Sequence, residues 1–501
     1  MTNTMEMEIK LTMAKTQLSK FLHHPLVKQA RVKGSQKKLQ LENYYYDTQD
    51  FKLSNNKIAY RIRKTGRNYE ATIKTQGESV GGFSARQEYT VPLLKKQAVL
   101  TGFAPNFDLK LQTLLAEDEL RQLFTIKVQR QITLLQVSEE TVLELAEDTG
   151  EIIAEGQKEA ISEVELEIKK GQPQDLFAFV AKLAVDVPLF IEPNSKFARG
   201  LHLLAKGPGT LWLEQSQPSL EMGAGTETEC KALLNYYLSN ILAKQNLLRG
   251  KTKNLAPDKL LLADWWSVLA LWYFILPLLP ENIYKKYCKI LTRIITPLEE
   301  LFVLRRADKK WQNIAKRGKA FIEVGPLAKQ LATKEQRLRE QILALIRQGN
   351  YTSTIFALLY YLQQSSWQKA DYLLLEQFVN YRFKNLGIEF STLDKLQEDA
   401  ELAKQLLEKV SGAVLWAKYL KLKGVSKKNL VVLKHFYNIL RTLNYDVYGE
   451  KILLDLQRGN SSRQLAREVG ILLGYRLRGA AKGWNKLRKN GQKLQTILTK
   501  V

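Results

Sequence analysis

Up to about residue 205 the chain alternates apolar and polar residues with a period of two. Met7 and Ile9 separate Glu6, Glu8 and Lys10. Val164, Leu166 and Ile168 interleave with Glu163, Glu165 and Glu167, and Ile62 separates Arg61 from Arg63. On a strand, residues two apart share a face. The pattern predicts strands at Met5–Leu11, Lys38–Asp47, Ile58–Lys64, Asn68–Thr75, Ser84–Val91, Phe124–Val137, Thr141–Glu147 and Glu151–Lys170, the last broken into two. Helical periodicity interrupts them at Lys15–Lys28, Phe107–Leu114 and Pro173–Leu183. Short strands at regular spacing predict a barrel or a sandwich.

The texture then changes. Residues 206–226 are rich in Gly, Pro and Ser and read as a linker. Beyond them, long runs of Leu, Ala, Lys and Glu carry helical periodicity over residues 227–501, with breaks near Gly318, Gly325–Pro326, Gly349–Asn350, Gly387 and Gly424. Seven to ten helices are expected, so the fold class is α+β: a β domain over 1–205, a linker, then an all-α bundle. The most apolar stretch, Leu260–Pro280, has Asp264 as its only charge and Pro277 near its end. A span needs about 20 apolar residues. With both residues inside it, this stretch is expected to be a buried core helix ending before Pro277, and no membrane span is expected.

Charge sharpens the division. Of the net +25, residues 1–210 carry +3, with 29 Lys and Arg against 26 Asp and Glu, and the remainder carries +22. The helical part should attract polyanions. Two cysteines, Cys230 and Cys288, are too few for a disulfide framework. The charged start, where a signal peptide would need an apolar run, also points to the cytoplasm.

Alternation of charge and grease ordinarily marks a strand with a solvated face. Such a face mixes signs, because like charges side by side repel. Here one row is acidic and another basic. Hard divalent cations seek carboxylate oxygens, which Glu6, Glu8 and the Glu163–Glu167 row supply. Phosphate chains seek Arg and Lys, which Arg61, Arg63, Lys74, Arg86, Arg130 and Lys196 supply. Glu144 and Asp148 share a face if their strand is unbroken. Lys127 and Arg130, three apart, do not.

In order along the chain stand ExExK (Glu6–Lys10), YYDT (Tyr45–Thr48), RIR (Arg61–Arg63), YEATIK (Tyr69–Lys74), ELAED-G (Glu144–Gly150), EVELE (Glu163–Glu167) and SKFARG (Ser195–Gly200). This series resembles the CYTH family of triphosphate tunnel metalloenzymes. The run TIKTQGESVGGFSARQEYTV (Thr72–Val91) resembles the bacterial inorganic triphosphatases that pair CYTH with a helical CHAD domain. The resemblance implies an eight-stranded antiparallel barrel around a charged tunnel. It implies Mg²⁺ or Mn²⁺ held by Glu6, Glu8, Glu165 and Glu167, with Asp148 nearby. It implies a phosphate clamp of Lys10, Arg61, Arg63, Lys74, Arg130 and Lys196, with Arg86 and Glu88 carried over beside it. Glu6, Glu8, Lys10 and Asp148 are the expected catalytic group, and inorganic triphosphate the expected substrate.

The helical part matches CHAD in position and basic charge, not in its histidines: His435 is the only one after His202. Arg478, Lys482, Lys486, Lys489 and Lys493 form one basic stripe at helical spacing, which could meet long-chain polyphosphate. No specific nucleic acid is expected. Two other readings stay open. One is a different CYTH activity: thiamine triphosphatase, nucleoside or RNA triphosphatase, or adenylate cyclase. The other is non-catalytic polyphosphate binding, which would have no use for the glutamates.

Overall fold

The computed structural model describes residues 2–75, 77–80, 83–115, 118–206, 217–249, 256–318, 325–363, 367, 374–389, 400–419 and 427–498. The Gly-rich core of the expected linker, 207–216, and the expected break at Gly424 lie outside them. The chain divides into two compact units. One comprises residues 1–215, 242–251 and 346–364; the other comprises 216–241, 252–345 and 365–501. The division is therefore not a single cut after the strands. The helix Asn350–Gln363 packs on Pro173–Asp186 within the first unit. In the same unit Gln245 Nε2 donates to Thr352 Oγ1 at 2.8 Å.

Ten strands build the first unit: β1 Thr2–Thr12, β2 Lys37–Asp47, β3 Ala59–Thr65, β4 Asn68–Lys74, β5 Glu78–Val80, β6 Phe83–Leu93, β7 Arg121–Gln136, β8 Val142–Ala154, β9 Gln157–Lys170 and β10 Phe190–Ile191. Eight of them close a barrel in the order β1-β9-β8-β7-β2-β3-β4-β6, and β6 pairs back to β1; all these pairings are antiparallel. β5 extends β6, and β10 extends β1. Closure leaves the main barrel strands no open edge. The alternation sorts the faces as expected. Ile9, Ile62, Ile73, Val164 and Leu166 are buried on the outer face, and Met7 is half-buried. Ile62, Ala71 and Ile73 pack with Leu53, Leu111 and Leu115 from the helices Lys52–Asn55 and Pro105–Leu115 and with Phe103 from the segment just before the second helix.

Three expectations shift in detail. The helix expected over Lys15–Lys28 is two, Lys15–Leu22 and Pro25–Ala30, because Pro25 starts a new helix with His24 as its cap. The strand expected to end at Glu147 runs on to Ala154. The break falls at Glu155–Gly156, where φ is +46° and +79°, the left-handed pair of a tight hairpin turn. Gly150 did not end the strand. It lies so close to the Lys127 carbonyl that a Cβ would collide with it.

The second unit is all helical. After residue 217 the described residues of both units hold nine α-helices, within the seven to ten expected. Pro257–Phe274 is the expected buried core helix. It ends before Pro277, with Trp265, Val268, Leu271 and Trp272 buried. Breaks fall at Gly318, Gly325 and Gly349, whereas Leu375–Glu389 runs through Gly387. Among the described residues no helix is long and apolar enough to cross a membrane.

Candidate active site

The inward row of each barrel strand lines one cavity of about 370 Å³. Strand register decides which side chains meet there. Glu8 on β1 lies opposite Glu167 on β9, and Glu167 lies opposite Glu144 on β8, so three carboxylates cross three adjacent strands in one row. Glu6 lies opposite Arg86 on β6, and Lys74 on β4 opposite Glu88. Arg61 and Arg63 on β3 face Tyr45 and Asn43 on β2. The twelve residues of the expected site line this cavity: Glu6, Glu8, Lys10, Arg61, Arg63, Lys74, Arg86, Arg130, Asp148, Glu165, Glu167 and Lys196; Glu144 does too, whereas Glu163 is not in its lining. Glu88 joins them. Lys127 is exposed on the other face of β7, as its odd offset from Arg130 requires.

Most of the acids sit on β1, β8 and β9, with Glu70 on β4 and Glu88 on β6 as exceptions, and most of the cations sit on β3, β4, β6 and β7. Lys74 Nζ donates to both oxygens of Glu6 at 2.6 Å and lies 2.9 Å from Glu88. Arg61 is 3.5 Å from Glu88. Arg63 Nε donates to Asn43 Oδ1 at 2.8 Å. Burial, together with the charges of Arg61 and Arg130, brings the Arg63 guanidinium down to about 10. The Glu70 carboxylate, 3.7 Å from its Nη1, offsets this only in part. Burial alone would raise Glu88, but Lys74 and Arg61 outweigh it and hold that carboxyl at about 2.

Two carboxylate groups differ in what already neutralises them. Asp148, Glu163 and Glu165 each bring an oxygen within 4.8 Å of the others, close enough to hold a metal ion. An ammonium already sits among them. Lys196 Nζ lies 2.7 Å from Asp148 and 2.8 Å from Glu165, and also bonds Glu163. Arg130 donates to Asp148 at 2.7 and 2.6 Å and also bonds Glu165. Arg199 donates to Glu163 at 2.9 Å and to Glu159 at 2.7 Å. Burial would raise Glu165, yet Lys196, Arg130 and Lys10 hold it well below the usual carboxylate range.

The row of Glu8, Glu167 and Glu144 is less well neutralised. Burial raises Glu8; Lys10 bonds it, but Glu165 and Glu6 repel it, and the net is upward. Burial, with Glu6 and Glu144 beside it, also holds Glu167 above its ordinary value, although Lys169 donates to it at 3.0 Å. Glu8 is buried and Glu144 and Glu167 are half-buried; carboxylates so placed and short of cations are the hard-oxygen environment that Mg²⁺ or Mn²⁺ relieves, so these residues fit such an ion.

The helix Lys196–Lys206 packs against β7, β8 and β9. Its Phe197, Leu201, Leu203 and Leu204 join Tyr45, Phe124, Ile126, Ile152 and Ile161 in an apolar cluster. Tyr45 stacks on Phe124, with ring centroids 5.0 Å apart. Because Phe197, Tyr45 and Lys196 also line the cavity, this helix both borders the site and delivers its lysine. Sequence reasoning quoted its motif without recognising the helix. Also unassigned were Asn43, Glu70, Lys169 and Ser195, which line the cavity too. Asn43 keeps step with Tyr45 along β2, so the same period-two argument would have found it.

Residues 4–201 match the CYTH domain family model. An inorganic triphosphatase of Haemophilus influenzae is 34% identical over 179 residues, which are 35% of this chain and 49% of that protein. The chain thus spans about half the length of that curated relative. Solved structures show weaker likeness. A candidate adenylyl cyclase from Hippeastrum, described as having a dominant triphosphatase activity, is 18% identical over 40% of this chain and 97% of its own, with a TM-score of 0.31. A candidate adenylate cyclase of Bacillus halodurans is 18% identical over 40% and 98%, with a TM-score of 0.28. Family match and ordered motifs agree in placing the likeness to the CYTH domain over residues 4–201.

Proposed function

We propose that the barrel hydrolyses inorganic triphosphate to diphosphate and phosphate with a divalent cation, Mg²⁺ or Mn²⁺. The observation that carries this reading is the two-sided cavity, with Glu8 and Glu167 under-neutralised on one wall beside Glu6, which Lys74 pairs, and clustered cations on the other. The substrate is a chain of charged phosphoryl groups. Arg61, Arg63, Lys74, Arg86, Arg130 and Lys196 would bind it, and Arg63 stands to gain because burial and the charges of Arg61 and Arg130 outweigh its single pair with Glu70. Asn43 holds the Arg63 fork in place. Glu6, Glu8 and Glu167, with Glu144 beside them, would hold the metal. Glu165 and Asp148 would keep Lys196 and Arg130 charged and oriented. Lys10 would link the two carboxylate groups, since it bonds Glu8 and lies 3.9 Å from Glu165. When bound, the metal would polarise a phosphoryl group and lower the pKa of water. Phosphoryl transfer needs little beyond such positioning and charge stabilisation.

One observation favours a second reading. Leu39, Leu41, Val128 and Ile132 also line the cavity, and inorganic triphosphate has no use for an apolar wall. A nucleoside or thiamine triphosphate would use it. A turnover panel separates the two. Phosphate release from inorganic triphosphate, ATP and thiamine triphosphate is measured with and without Mg²⁺. Inorganic triphosphate should be turned over fastest, and only with metal. Faster turnover of an organic triphosphate would favour the second reading. In the helical unit, Arg478, Lys482, Lys486, Lys489 and Lys493 are all exposed on the helix Arg463–Leu498. We propose this stripe as a salt-sensitive contact for long polyphosphate.

A further inference from the structure

The second unit contains a cavity of about 690 Å³ that no part of the barrel chemistry uses. Four cations reach it from three helices: Lys259 from Pro257–Phe274, Lys418 from Ala400–Tyr419, and Lys434 and Arg441 from Lys427–Gln457. Its floor is apolar and aromatic, with Leu262, Val414, Leu415 and the half-buried Trp266 and Phe302. Asp258 is the one carboxylate in its lining, and it is already bonded to Arg305, which also donates to Glu335 at 2.6 Å.

Among the described residues none of the four cations lies within ion-pair distance of a carboxylate. Other cations of this unit are paired: Lys231 with Glu227, Arg305 with Asp258, Lys310 with Asp446 and Lys334 with Glu300. Arg441 is also held in place. Its guanidinium lies 5.1 Å from the Tyr437 ring centroid, and it donates to Asn438. Like charges gathered in a hollow repel one another unless an anion joins them. A hollow of several hundred Å³ with an apolar floor and a few convergent polar groups is the usual form of a small-molecule site.

We propose that this hollow binds a phosphorylated aromatic small molecule of the nucleotide class. The ring would lie on the floor beside Trp266, and the phosphates would meet Lys259, Lys418, Lys434 and Arg441. An inorganic phosphate chain would use the rim and leave the floor exposed, so the floor argues for a ligand with an organic body. The inference is independent of the reading of the barrel.

The test is photolabelling of the full chain with 8-azido-ATP, followed by peptide mapping, with AMP-PNP, adenosine and inorganic triphosphate as competitors. A catalytically competent barrel cannot confuse the result, because the mapped peptide reports the site. Label is expected in 257–274, 400–419 or 427–457. AMP-PNP should protect these peptides at least tenfold better than either inorganic triphosphate or adenosine. Trp266→Ala and the double variant Lys434→Ala/Arg441→Ala should each cut this labelling at least fivefold, with circular dichroism melts confirming that both fold. Label confined to barrel peptides would overturn the proposal. So would equal protection by inorganic triphosphate, which would make the hollow a site for phosphate charge alone.

Discussion

Replacing Lys196 with Met should convert an internal ion cluster into a defect that a metal can repair. The ammonium contacts Asp148, Glu163 and Glu165, whose side chains are almost wholly buried. Met keeps the length of the side chain and removes the charge. Arg130 and Arg199 remain, with Lys10 at 3.9 Å from Glu165, so the three carboxylates would lose the one ammonium that contacts them all. Removing one partner of a buried ion pair costs about 3–5 kcal/mol. In a unit of this size that lowers the melting temperature by roughly 6–20 °C. The three oxygens already lie within 4.8 Å of one another, so Ca²⁺ or Mg²⁺ should take the place of the ammonium. Binding at a hundredfold excess over Kd returns about 2.7 kcal/mol. The assay is a calorimetric melt of Lys196→Met with and without millimolar Ca²⁺, beside the parent chain. The variant should melt low and recover with metal, and the parent should respond less. A variant that melts within a degree of the parent would show that Lys196 does not organise these carboxylates.

Other outcomes follow from the same geometry. Glu6→Gln/Glu8→Gln should fold but lose phosphate release by about 10²-fold or more, because the metal supplies several kcal/mol; near-normal turnover in a folded variant would remove these residues from the site. Arg63→Ala and Lys74→Ala should each cost roughly 1.5–3 kcal/mol in kcat/KM for triphosphate, whereas Lys28→Ala, exposed on the helix Pro25–Ala30, should cost nothing. Glu8 and Glu167 are held above their ordinary values, so protons compete with the metal. Mn²⁺ affinity measured calorimetrically should therefore rise as pH increases from the ordinary carboxylate range, with proton release on binding, and a flat profile would contradict this. Glu88 has the opposite sign. Its folded value of about 2 lies below its ordinary one, so the stability it contributes is present above about pH 4.5 and is lost as pH falls toward 2. An acid melt of Glu88→Gln should show a shallower loss than the parent.

The barrel was legible because its evidence is local and periodic. Alternation at Glu6–Lys10, Arg61–Arg63 and Glu163–Glu167 states which side chains share a face, and the register then brings those faces together. Which carboxylate meets which cation is a matter of pairing between strands that are not neighbours in any local window, as with Lys74 and Glu6. No local pattern reveals that Lys196 enters the acid cluster while Glu8, Glu167 and Glu144 form a separate row. The same limit hid the packing of Asn350–Gln363 on Pro173–Asp186. In the helical unit, Lys259, Lys418, Lys434 and Arg441 are scattered through ordinary basic helices and become a group only where three helices meet. The exposed stripe Arg478–Lys493 was visible because it lies along one helix face.

The central claim is that the metal belongs to the carboxylate wall of Glu6, Glu8 and Glu167 and the phosphates to the opposing cations. Anomalous diffraction from crystals of the full chain soaked in Mn²⁺ and inorganic triphosphate tests it most directly. The account predicts manganese density among Glu6, Glu8 and Glu167, with triphosphate reaching Arg61, Arg63 and Lys74 and Lys196 still bonded to Glu165. Manganese among Asp148, Glu163 and Glu165, with Lys196 displaced, would contradict it.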